Sequence, residues 1–268
     1  MFSGFMADTW TAVTIVAVIA GIVGFFVVLR DGAFAAHALP LGAFPGAAAA
    51  SLLSVNTLFG LLAFGALGVA GIGRLRAGGR REVATALTLV TLLGVGALLL
   101  SLTTQYAAEI YALLFGQVLG VSRADLGPIA ILGAVVALTA ALAYRPLLLT
   151  AVAPELAEVQ GTSAARMELV FLAILALATV LTLPVVGALL VFSLMVGPPA
   201  AARAFTARPL AALLLSVGIA LPTAWGAVAL SYATNWPVGF FVGTLSAGAY
   251  GIGALWSRLR AAPAPGRQ

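Results

Sequence analysis

Long apolar runs alternate with short polar breaks along nearly the whole chain. The first covers residues 9–29 and meets no charge until Arg30. A second, 33–53, is interrupted by Pro40 and Pro45 and followed by Ser54 and Asn56; a third, 57–72, gives way to a glycine-rich basic turn with Arg74, Arg76, Arg80 and Arg81. Further runs cover 83–102, 126–144, 167–183, 185–199, 209–233 and 238–256. None alternates with the period of two that a barrel strand requires, so the runs predict helices. About 20 apolar residues of helix cross a hydrocarbon layer about 30 Å thick. The pattern therefore predicts an all-α integral membrane protein with about nine transmembrane helices. Eight is the alternative, if the pair of runs after Met167 forms one broken helix and a re-entrant piece. Pro184 should close the sixth run, and Gly197-Pro198-Pro199 should disturb the seventh.

The polar breaks are uneven. Residues 103–125 carry Gln105, Tyr106, Glu109, Tyr111, Arg123 and Asp125, which predicts a shorter surface or re-entrant element. Residues 147–166 are the longest polar region, with Glu155, Glu158, Gln160 and Arg166. Pro154 suits a first helical turn and Gly161 a helix end, so 154–160 should be a short helix outside the lipid. Residues 1–256 read as one transmembrane domain, and 257–268 as a basic, proline-rich, disordered tail.

Charge then orients the helices. Nine alternating spans place Arg30, the Arg74–Arg81 turn, Arg145, Arg166, Arg203, Arg208, Arg258, Arg260 and Arg267 on one side, and Arg123 alone on the other. By the positive-inside rule the crowded side is cytoplasmic, with the N-terminus outside and the C-terminus inside. Removing one middle span would scatter the arginines over both faces. The net charge of +5 thus reports orientation and not nucleic-acid binding. No basic residue precedes the first run, so a cleaved signal peptide is not expected.

Composition also excludes chemistry. The chain is 63% hydrophobic and 8% charged, against about 25% charged for soluble domains. It has no cysteine, hence no disulfide, thiol nucleophile or cysteine-built zinc site. All thirteen basic residues are arginine, so no lysine is present to complete a P-loop. The spans hold too few ionisable groups for an enzyme active site. Three Gly-x-x-x-Gly pairs, Gly42/Gly46, Gly116/Gly120 and Gly239/Gly243, read as close helix packing. Trp10, Trp236 and Trp256 read as interfacial anchors.

The lone histidine, His37, sits among small residues ahead of Pro45-Gly46 in the second run. A neutral imidazole can bind a divalent metal; a packed or interfacial histidine is the other reading. Asp31, beside Arg30, reads as a helix-end ion pair. Glu109 reads either as solvated surface or as a carboxylate drawing cations to an outer mouth.

Five separated pieces then carry a resemblance. They are Phe26-Val-Val-Leu-Arg30 with 37–46 behind it, Leu114-Phe-Gly-Gln-Val-Leu-Gly-Val-Ser-Arg-Ala-Asp-Leu126, Pro154-Glu-Leu-Ala157 with Gly161, Val186-Gly-Ala-Leu-Leu190 through Pro199-Ala-Ala-Ala-Arg203, and Leu230-Ser-Tyr-Ala-Thr-Asn-Trp-Pro-Val-Gly239. In this order and spacing they resemble the permease subunits of ABC importers for zinc and manganese, the ABC-3 type. The resemblance implies a homodimeric membrane core in a bacterial plasma membrane and a separate ABC ATPase docking on Pro154, Glu155, Leu156, Ala157 and Gly161. It also implies an extracytoplasmic metal-binding protein and a divalent metal as cargo, with no resident cofactor. Relatives carry an Asp and, four residues later, a His on the second helix; here those positions are His37 and Leu41. That spacing puts two ligands on one helical face, so the departure opens other cargo, such as iron or a metal chelate. A secondary transporter needing no ATPase and a structural membrane subunit with no transport role are the remaining rivals.

Overall fold

The structure, a computed structural model, describes residues 5–75, 81–102 and 120–261. Among these residues it is helical throughout, with no strand. The helices are α1 (Phe5–Leu29), α2 (Ala33–Ala43), α3 (Pro45–Leu52), α4 (Thr57–Leu75), α5 (Arg81–Ser101), α6 (Arg123–Leu142), α7 (Tyr144–Val152), α8 (Pro154–Val159), α9 (Ala164–Val186), α10 (Ala188–Phe205), α11 (Pro209–Thr234) and α12 (Val238–Ala261). Eight segments of the described residues are long and apolar enough to cross a membrane, with α2 and α3 together making one of them. The apolar stretch in α10, Val191–Phe205, is shorter.

Helix α1 is the axis of the bundle. It is apolar all round, as a helix enclosed by others must be, and packs against α6, α9, α10 and α11. Its Val13, Val16, Ala17, Ala20 and Val23 are buried together with Phe171, Leu175 and Met195. Helices α4, α5 and α6 lie outside it and expose Phe59, Leu67, Val90, Leu98, Ile131 and Leu138. Lipid tails are as apolar as these side chains, so exposure there costs little.

Small residues set the close contacts. A Cβ on Gly46 would stand 2.1 Å from the Gly60 carbonyl oxygen, so α3 and α4 touch backbone to backbone. The packing reading of Gly42/Gly46 therefore holds: Gly42 meets Leu92, and Gly46 meets Gly60. Gly243 has nothing from this chain within 4 Å of its would-be Cβ.

Prolines break the helices less than their positions suggest. Pro184 lies in the last turn of α9, which continues to Val186. The stop comes instead at Gly187, whose φ of 88° only glycine adopts freely. Pro198 and Pro199 both lie inside α10. Pro199 removes the N–H that would bind the Met195 carbonyl, and that oxygen lies against Gly24 of α1, 2.3 Å from a would-be Cβ. Glycine at this position is what lets α1 approach that oxygen so closely. Pro45, by contrast, divides the second run, ending α2 at Ala43 and opening α3. Helix α12 continues to Ala261, so 257–261 belong to the last helix and not to a disordered tail. The element expected over 103–125 lies outside the described residues up to 119, and Glu109 with it; from Arg123 the chain is already in α6.

The two ends of the bundle differ. One end carries the α1–α2 turn, the start of α5 and the whole of α7–α8, where Arg30 pairs with Glu168. At the other, Arg123 pairs with Asp8 at 3.6 Å. Arg123 thus lies opposite Arg30 and Arg81, as the charge pattern requires.

Candidate functional site

The second helix begins from a tight turn. At the end of α1 the Gly32 N–H donates to the Val27 carbonyl at 2.8 Å, and Asp31 takes a φ of 53°. This is the hydrogen-bond pattern of a Schellman stop, with aspartate in the left-handed position usually held by glycine. His37 follows in α2. It is half-buried, its ring edge-on to Phe192 of α10 at 5.1 Å between centroids and 71° between planes. Its Nδ1 is buried with no hydrogen-bond partner. A buried ring nitrogen without a partner is available to a ligand.

The position one turn on supplies nothing. Leu41 packs against a second apolar cluster that includes Phe44, Leu61, Val180 and Leu183. No group of three or more His, Cys, Asp or Glu side chains that could hold a metal exists among the described residues. One protomer therefore offers His37 alone on this face.

Cavities lie toward both ends. One of about 510 Å³ lies between the α3–α4 turn and the start of α6, with Asn56, Asp125 and Pro184 in its wall. Another, of about 400 Å³, lies at the end carrying the α1–α2 turn, lined by Asp31, Ser193, Ser246 and Tyr250. Phe192 lines this second cavity and also covers His37, so one ring separates the imidazole from it.

The polar segment folds as its punctuation predicts. Pro154 opens α8 at its first turn. At its end Gly161 adopts a φ of 78°, and the Thr162 N–H donates to the Ala157 carbonyl at 2.8 Å. Ser163 then caps α9, accepting from the Arg166 N–H. The two faces of α8 divide the expected contact residues. Ala157 is fully buried and seats the helix, whereas Leu156 is 50% and Val159 86% exposed, beside the exposed carboxylates Glu155 and Glu158. The side of α8 turned away from the bundle is therefore both apolar and acidic.

The largest difference from the sequence reading concerns Arg30. It does not form a helix-end pair with Asp31; its Nη2 donates to Glu168 Oε2 at 2.9 Å. Both side chains are almost wholly buried. The turn to α2 points Asp31 outward, and burial leaves the guanidinium to seek a carboxylate from another helix. Glu168 was visible in the sequence as a carboxylate entering an apolar run at the same end as Arg30. Only the three-dimensional fold pairs them.

The model of the ABC 3 transport family matches residues 3–256. The chain is 30% identical over 220 residues to "Manganese transport system membrane protein MntC" of Listeria monocytogenes, covering 81% of this chain and 76% of that protein. It is 28% identical over 197 residues to "High-affinity zinc uptake system membrane protein ZnuB" of Haemophilus influenzae, covering 73% and 76%. Among solved structures it superposes on a chain of "PsaBC from Streptococcus pneumoniae in complex with Fab" with a TM-score of 0.84 at 22% identity, covering 94% of this chain and 91% of that one.

Proposed function

The chain belongs to the ABC 3 transport family, and we propose that it is the membrane-spanning permease subunit of an ATP-driven importer for a divalent metal ion, manganese or zinc. The observation that carries the reading is the extent of the family match, 254 of 268 residues (3–256). It includes both the histidine-bearing second helix and the exposed helix α8. Relatives named for manganese and for zinc support the choice of ion.

The chain has no lysine for a P-loop, so ATP is hydrolysed by a separate nucleotide-binding subunit. That subunit docks on Glu155, Leu156 and Val159, while Pro154, Ala157 and Gly161 shape and seat the helix. The arginine-rich end is cytoplasmic, with the N-terminus outside and the C-terminus inside, the shorter α10 making a ninth crossing beside the eight longer segments. An extracytoplasmic metal-binding protein delivers the ion to the opposite face. Two copies of the chain form the core, and His37 from each supplies a ligand through its free ring nitrogen. Two imidazoles make a weak site, which suits a conduit because the ion must leave as well as enter.

Leu41 favours a second reading. Its packing removes the second ligand that relatives carry, so the same core could serve iron or a metal chelate. Growth of a bacterium lacking its own manganese and zinc importers, complemented with this chain and its cognate subunits, separates the two. Growth on limiting Mn²⁺ or Zn²⁺ is expected; growth rescued by iron alone would overturn the assignment of cargo.

A further inference from the structure

Arg30 is 8% exposed, and its guanidinium is used on several sides. Nη1 donates to the Leu147 carbonyl at 3.0 Å and to Thr150 Oγ1 at 2.9 Å. Nη2 donates to Glu168 Oε2 at 2.9 Å, and the Phe171 ring lies 5.4 Å from Cζ. Arg81, at the head of α5, donates to the Arg30 carbonyl at 3.1 Å and pairs with Glu168 at 3.3 Å.

The partners fall in a telling order along the chain. Leu147 and Thr150 are on α7, which passes through Ala153 directly into α8; Glu168 is on α9, which follows α8. One guanidinium thus grips the chain on both sides of the exposed helix. Its own backbone continues through Asp31 and Gly32 into α2 and His37. A Cβ on Gly32 would stand 2.9 Å from the Phe171 ring, so the turn is packed hard against the same helix as the ion pair.

Stability alone does not account for such a cluster. Burying a guanidinium and a carboxylate costs several kcal/mol per ion, and apolar replacements of similar volume are often as stable. What ion pairs and directed hydrogen bonds add is a fixed geometry between elements.

We propose that Arg30 is the positioning residue that ties the two flanks of α8 to the α1–α2 turn, so that movement of α8 is passed to the helix carrying His37. The inference rests on the reading of α8 as the docking helix. Arg30 does not touch the ion; it acts through Leu147, Thr150 and Glu168. When α8 shifts, α7 and α9 carry Arg30 with them, and the turn at Asp31 and Gly32 moves the start of α2.

The test uses the full chain assembled with its nucleotide-binding subunit in proteoliposomes, with Mn²⁺ uptake and ATP hydrolysis measured on the same sample. Glu168→Gln keeps the shape and removes the charge. Complexes that assemble are expected to hydrolyse ATP but to move at least about fivefold less Mn²⁺ per ATP, the low end of ordinary coupling energies. Thr150→Val, which removes one tie and keeps the ion pair, is expected to lower the same ratio about twofold. A purely structural role would lower the yield of complex and leave the ratio at the wild-type value, which would overturn the proposal. Should Glu168→Gln fail to assemble, a wild-type ratio in Thr150→Val overturns it equally. If the wild-type chain retains no nucleotide-binding subunit, the docking reading falls and this inference with it, a result distinct from a wild-type ratio in an assembled variant.

Discussion

Arg30 and His37 stand on either side of one turn, yet their surroundings have little in common. His37 has an aromatic edge on one side, a leucine one turn on and a ring nitrogen with no partner. Arg30 has a carbonyl, a hydroxyl and a carboxylate from two other helices. The contrast separates two demands on a pump subunit. Where an ion passes, few and weak contacts let it leave. Where motion is passed on, many directed contacts prevent slack. On the reading proposed above, the Arg30 cluster serves the mechanics and His37 the cargo.

Four variants would break or sharpen this contrast. The largest effect is expected on the docking face: Glu155→Ala with Leu156→Ala should abolish Mn²⁺ uptake by cells while leaving membrane insertion intact, checked by uptake and membrane immunoblot side by side. Normal uptake would remove α8 from the mechanism. Next comes Glu168→Ala, which strands Arg30 in the interior. Breaking a buried pair costs about 3–5 kcal/mol, to be seen as a large fall in thermal stability of the detergent-solubilised protein.

Gly46→Val is expected to cost about 1–3 kcal/mol, as overpacking does, because the new side chain meets the Gly60 backbone and α3 and α4 must part. The same melting measurement checks it, and a larger loss than Glu168→Ala would reverse the ranking of the two regions. The smallest change is expected from His37→Ala. It should leave the melting temperature and maximal rate near wild type and raise the half-saturating Mn²⁺ concentration about tenfold, a change of 1.4 kcal/mol. Unchanged saturation would mean that the ion does not meet His37.

Much of the fold was legible in the sequence because its signals are local. Apolar length gives helices, and Pro154 and Gly161 frame α8 by backbone geometry alone. The arginine asymmetry alone separates Arg123 from Arg30. Prolines were over-read because their place depends on packing between helices: the Met195 carbonyl freed by Pro199 lies against Gly24, which is in another helix. The site was legible only in part for the same reason. His37 stands out by its rarity. The Arg30–Glu168 pair, 138 residues apart, exists only once α1 and α9 are packed, and the neighbouring Asp31 offered a false local partner.

The central claim is that this chain moves a divalent metal only when an ATPase drives it. The direct measurement is ⁵⁴Mn²⁺ accumulation in proteoliposomes holding the chain with its nucleotide-binding and metal-binding subunits, with and without ATP, against vesicles holding the chain alone under a proton gradient. Accumulation that requires ATP and the nucleotide-binding subunit is the expected result. Equal accumulation by the chain alone, driven by protons, would contradict the claim.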